Sequence, residues 1–123
     1  MTIEFLFPEV CSLFGDTGNI EFIKRTFHDE KIIETRLNDE PFFVSNYVDF
    51  VYIGSMTEST QEQVINRLFP HKERLLRLID SGTHFLATGN SVDIFGEFIV
   101  DDEKKIPALG LFPFISKRFM MTR

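Results

Sequence analysis

The stretch Val48-Asp49-Phe50-Val51-Tyr52-Ile53 is nearly continuous in apolar side chains and stops at Gly54. A strand with one solvated face alternates apolar and polar residues. A run that is apolar on both sides of the pleat needs cover on both, which is the situation in a sheet sandwiched between helices. Two other runs share this character: Ile3 to Phe7, halted by Pro8, and Thr83 to Thr88, halted by Gly89. The segments between them read as crossovers. Ile20, Ile23 and Phe27 fall at helical spacing with Lys24 and Arg25 facing outward, and the alternating, β-branched stretch Lys31 to Arg36 reads as a further strand. A helical region runs from about Glu58 to Asp80 and must end or kink at Pro70, which lacks an amide hydrogen. Beyond it Leu75, Leu76, Leu78 and Ile79 form an apolar stripe that Ser81-Gly82 stops.

After the third run, Gly89-Asn90-Ser91 turns into a short helix ending near Gly96. Two short strands, near Phe98–Val100 and Ala108–Phe112, are expected to flank the acidic turn Asp101-Asp102-Glu103. Parallel strands joined by helices imply an α/β domain: a mostly parallel sheet with helices on both faces, spanning residues 1–123 as one unit. Ligands in such sheets bind beyond the carboxyl ends of the strands. A site should therefore draw on the loops at Gly15–Asn19, Gly54–Thr57 and Gly89–Asp93.

Charge and residue counts exclude several function classes. Thirteen basic residues against nineteen acidic ones give a net charge of −6, and the basic residues never cluster beyond Lys117-Arg118, so no phosphate grip and no nucleic-acid partner are expected. One cysteine makes no disulfide scaffold, and three scattered histidines with it make no zinc site. Neither a metal nor any other cofactor is expected. Met1-Thr2-Ile3-Glu4 carries an acid where a secretory signal carries positive charge, and no apolar run reaches the ~20 residues of a membrane helix. The expectation is a cytoplasmic protein with no membrane contact. Fifteen phenylalanines and no tryptophan point to an aromatic core that needs no polar partners, with an exposed partner face as the competing use.

The same three loops carry a resemblance. Phe7-Pro8, followed by Phe14-Gly15-Asp16-Thr17-Gly18-Asn19, resembles the opening of class I glutamine amidotransferase-like proteins. The branch in question is the cobyric-acid-synthase-like glutaminase subunit that works with a Mur-ligase-like partner to amidate lipid II. Phe7 and Phe14 stand where that branch has tyrosines. Val51-Tyr52-Ile53-Gly54-Ser55-Met56, with Glu58 and Gln61 after it, is similar to the family's glycine-rich turn, acid and glutamine. Leu86-Ala87-Thr88-Gly89-Asn90-Ser91-Val92-Asp93-Ile94-Phe95-Gly96 falls at the nucleophile elbow, and Ala108-Leu109-Gly110-Leu111-Phe112-Pro113 looks like the segment that follows.

The resemblance implies chemistry that this chain lacks the parts for. In the family an elbow cysteine attacks the glutamine amide, a later histidine activates it, and backbone amides hold the oxyanion. Here the elbow position is Gly89, and no histidine follows His84. Cys11 lies in another loop and reads as a small, partly buried apolar residue, against the alternative of a relocated nucleophile. The resemblance leaves a vestigial elbow and oxyanion loop at Gly54, Ser55, Gly89 and Asn90, with Ser55 narrowing it where the family has glycine. Asp16, Asn19 and Arg123 are candidate ligand contacts. Asp16 would either hold a cation or ribose or stabilise its own turn, and Arg123 would either hold a carboxylate or be a solvated end. Gly89-Asn90-Ser91-Val92-Asp93 is only half of a hydrolase Gly-x-Ser-x-Gly pattern, and Asn90 or Ser91 is expected to cap the short helix.

The resulting expectation, which follows from the resemblance, is a flavodoxin-like α/β domain similar to class I glutamine amidotransferases: a non-catalytic, binding or regulatory domain that docks on a ligase- or synthase-type partner. One alternative is a segment of a working amidotransferase completed by further sequence. Another is an unrelated small-ligand domain of the same sheet type, which the absence of a Gly-x-Gly-x-x-Gly series disfavours. The apolar stretch Ile106 to Ile115, followed by Phe119, Met120 and Met121, is expected to make a homodimer or heteromeric contact through residues 106–121, with Leu111 and Phe114 in it.

Overall fold

The computed structural model describes residues 1–13 and 16–118. It contains a parallel four-stranded sheet in the order β2-β1-β3-β4. The strands are β1 (Thr2–Leu6), β2 (Lys31–Thr35), β3 (Phe50–Ile53) and β4 (His84–Ala87). All three pairings are parallel: Ile3 lies opposite Ile32 on one side and Phe50 on the other, while Val51 lies opposite Phe85. The α-helices among the described residues are α1 (Asp16–Thr26), α2 (Glu58–Leu68) and α3 (Lys72–Asp80).

Strand alternation divides the core between the two faces. Ile3, Phe5 and Tyr52 point to one side and pack on Ile20 and Ile23 of α1, with Phe5 and Tyr52 meeting edge to face at 5.9 Å. Leu6, Val51 and Ile53 point to the other and pack with Val64, Ile65 and Leu68 of α2 and Leu75 and Leu78 of α3. Each such side chain contributes about 1.5–3 kcal/mol when fully buried. Helices therefore cover both faces, and the chain is an α/β protein. Pro70 separates α2 from α3 through a 3-10 turn, Phe69–His71, and Thr57 caps α2 by accepting the Thr60 amide at 3.2 Å.

Three sequence expectations change. First, α1 begins at Asp16, so Asp16, Gly18 and Asn19 lie in its first turn instead of a loop, with the acid placed favourably at the positive helix end. Gly15 lies outside the described residues, as do Arg123, Phe14 and Phe119 to Met121. Second, residues 108–112 form no strand. Their amides are drawn onto the turn before them instead: Leu109 donates to Ile94 O, Gly110 to Gly96 O, and Leu111 and Phe112 to Phe95 O. The strands of this region are β5 (Phe98–Asp101), β6 (Lys104–Pro107) and β7 (Ile115–Arg118), a small sheet in which β5 pairs antiparallel with β6 and parallel with β7. Third, the Thr83–Thr88 run is not buried on both faces. Its strand β4 is an edge of the main sheet, the apolar cluster beneath α1 includes no β4 residue, and His84 and Leu86 are exposed.

Among the described residues no helix is long and apolar enough to cross a membrane. The phenylalanines divide between the expected aromatic core and the surface. Phe5, Phe7, Phe43 and Phe95 are buried, whereas Phe22, Phe69 and Phe112 are exposed.

Candidate functional site at the carboxyl edge of the parallel sheet

The carboxyl ends of β3 and β4 converge on Asp16. Its Oδ2 accepts the Ser55 amide at 2.6 Å and the Ser55 hydroxyl at 2.5 Å. Its Oδ1 accepts the Thr88 hydroxyl at 2.7 Å and the Tyr52 hydroxyl at 3.0 Å, with the Asn19 amide more distant at 3.4 Å. The side chain is buried, at 2% exposure. Burial opposes the charge, but the hydrogen bonds from Ser55, Thr88 and Tyr52 outweigh it and hold the carboxyl below its ordinary range. Asp16 thus does more than stabilise its own turn: it ties α1 to the ends of β3 and β4.

Gly54 and Gly89 are required by close approach. A Cβ on Gly54 would overlap the Cys11 carbonyl oxygen and lie 2.8 Å from Asp16 Oδ2. Gly89 has φ +59, in the left-handed region, at the sharp turn from β4 into the 3-10 segment Gly89–Phe95. A Cβ there would meet Ser55 Cβ and Oγ, each at 2.9 Å. The space beside the turn, where an elbow side chain would project, is filled by Ser55.

Asn90 and Ser91 are close by but cap nothing. Thr88 stands at the cap position and makes no side-chain cap bond. Asn90 instead clamps the loop after β3, accepting from the Met56 amide at 3.0 Å and donating to the Met56 carbonyl at 2.7 Å. The Ser91 hydroxyl is buried and shares its one proton between the Ile53 and Thr88 carbonyls, at 3.0 and 2.7 Å, so it ties the end of β3 to the turn after β4. A hydroxyl enclosed by two carbonyls is better used that way than as a helix cap.

The site thus brings together Asp16, Asn19, Gly54, Ser55, Gly89 and Asn90. Reasoning from sequence missed the roles of Tyr52, Thr88 and Arg118. Tyr52 carried a signal, as a hydroxyl inside an apolar run. The Arg118 guanidinium is 6% exposed and forms ion pairs with Glu58 at 3.1 Å and Asp101 at 3.2 Å. It also donates to Gln61 Oε1 at 2.6 Å, and Gln61 in turn donates to the Asn90 carbonyl at 2.9 Å. This chain of contacts links β7 and α2 to the elbow turn.

The other chemically interesting groups lie elsewhere. Cys11 is buried with its thiol 3.9 Å from Met56 Sδ, and burial, with Glu9 and Asp16 nearby, pushes its pKa up to about 12. His84 opens β4 and Gly89 follows its other end. His71 packs edge-on against Phe43, and His28 pairs with Asp29 at the surface. Among the described residues no group of three or more His, Cys, Asp or Glu is placed to hold a metal ion. Compared with models of known protein families and with curated proteins, the chain matches none.

Proposed function

We propose that this chain is a non-catalytic relative of the class I glutamine amidotransferases, with a flavodoxin-like sheet, that acts by docking on a ligase- or synthase-type protein. The order of β1, β3 and β4 and the position of Gly89 at the turn after β4 support the resemblance. The observation that carries the non-catalytic reading is the filling of the elbow. Ser55 occupies the space beside Gly89, and its own amide and hydroxyl are taken by the Asp16 carboxylate. A backbone amide that would hold an oxyanion already holds an internal anion. Cys11 does not substitute as a nucleophile, because burial keeps its thiol protonated.

Two measurements test this. Purified chain incubated with glutamine should release no ammonia above the buffer rate, and glutamine should leave the amide resonances of residues 54–56 and 89–91 unshifted. Turnover that survives Cys11→Ala would overturn the reading of the elbow, and turnover abolished by that change would identify a relocated nucleophile. For the docking half, titration against a Mur-ligase-like protein should give saturable binding, and its absence would remove that class of partner.

A further inference from the structure

We propose that the free edge of β4 is a self-association surface, on which a second copy of this chain pairs its own β4 in antiparallel register about a two-fold axis at Leu86. The His84 and Thr88 amides donate to the Asp49 and Ile53 carbonyls of the neighbouring strand. Since successive residues of a strand alternate in direction, the N–H and C=O groups of Phe85 and Ala87 face away from the sheet. They open onto a groove of about 460 Å³ that runs along Thr83 to Ala87 and is rimmed by Val92 and Phe112. Leu86, Val92 and Phe112 are 42%, 44% and 43% exposed, so the groove presents apolar surface beside backbone that is unpaired among the described residues. An extended backbone flanked by apolar side chains satisfies both.

The charge pattern points to a copy of the same chain. The other edge of the sheet, β2, carries Lys31 and Glu34, charges of the kind that blunt an edge against pairing. From Ser81 to Val92 there is no Asp, Glu, Lys or Arg, and no proline. Two molecules that each carry a net charge of −6 repel, and this uncharged face lets them meet without opposing like charges. The edge is also complementary to itself. With the axis at Leu86, Phe85 of one copy exchanges both backbone bonds with Ala87 of the other, and the reverse, while the two Leu86 side chains form the close non-hydrogen-bonded pair. The expected contact segment 106–121 contributes Phe112 and Phe114 to this groove.

Sedimentation equilibrium of the full chain should give a dimer mass. Leu86→Lys, at a position already exposed, places two like charges opposite each other and should weaken self-association by at least roughly a hundredfold with the circular dichroism unchanged. Amide exchange reads the register: Phe85 and Ala87 should be protected in the wild-type dimer and fast in Leu86→Lys, with Leu86 slow in wild type. Should Leu86→Lys fail to fold, Leu86→Cys should oxidise to a disulfide-linked dimer across the axis, because that pair geometry suits a disulfide. A monomer at the highest soluble concentration overturns the proposal. So does a dimer in which Phe85 and Ala87 exchange fast, or one in which Leu86→Cys does not cross-link.

Discussion

Ser55 and Gly89 share one volume: a Cβ on Gly89 would fall 2.9 Å from both Cβ and Oγ of Ser55. The two positions are therefore coupled, and a side chain at one excludes a side chain at the other. Gly89→Ala should destabilise the fold by about 2–3 kcal/mol, through this clash and the left-handed backbone. In a Ser55→Gly background the clash is relieved and only the backbone term remains, so the second substitution should cost about 1 kcal/mol less than in wild type. Urea unfolding of the four proteins of that cycle measures the coupling, and additive costs would show that the two residues do not compete for the space.

Asp16 gives a prediction with a definite pH sign. Asp16→Asn places an amide against the Ser55 N–H and the hydroxyls of Ser55, Thr88 and Tyr52, and should cost about 2–3 kcal/mol at neutral pH. The folded pKa of Asp16 is lowered, so the unfolded chain takes the proton first. Its contribution is fully present above the ordinary carboxyl range and is lost as pH falls through about 4 towards the folded pKa. The stability gap between wild type and Asp16→Asn should therefore narrow in acid. A gap independent of pH would mean that Asp16 is not held as a carboxylate.

The parallel strands and their order of burial were legible because apolar runs report cover on both faces, and β1 and β3 behave that way. β4 misled because its run is equally apolar although one face is open. Hydrophobicity records what a surface avoids and does not say whether the cover comes from the same chain. The candidate site was legible as a set of loops, since Asp16, Gly54, Ser55 and Gly89 do meet. What those residues do to each other was not, because hydrogen-bond partners 39 and 72 positions apart leave no local pattern. The segment 108–112 failed for a related reason. Its backbone partners are the carbonyls of residues 94–97, an irregular arrangement with no period to read.

Cys11 should be inert until the chain unfolds. With its pKa pushed up to about 12, the thiolate fraction at pH 8 is on the order of one in ten thousand, and burial blocks access besides. Labelling by a thiol reagent at pH 8 should follow the global opening rate, rising with urea in step with unfolding. Fast labelling in native buffer would place the thiol at the surface.

Glu4 should show the opposite pH sign to Asp16. It is fully buried in β1, where its Oε2 accepts the Thr35 hydroxyl at 2.6 Å and the Phe42 amide at 2.8 Å, and its Oε1 accepts the Phe43 amide at 3.0 Å. Desolvation outweighs these donors and raises the carboxyl pKa. The folded chain therefore binds this proton more tightly than the unfolded chain does. The contribution of Glu4 to stability is greatest in acid and declines as pH rises through the ordinary carboxyl range to the raised folded value. Glu4→Gln cannot offer acceptors to both sides of the clasp, because its amide nitrogen must face either the Phe43 amide or the Thr35 and Phe42 donors. It should cost about 1–3 kcal/mol and loosen residues 41–44, visible as faster exchange of the Phe42 and Phe43 amides. Measured against wild type from about pH 3 to 7, its stability gap should shrink as pH rises, whereas that of Asp16→Asn should grow. Parallel pH trends for the two variants would show that the environment of one of these carboxylates has been misassigned.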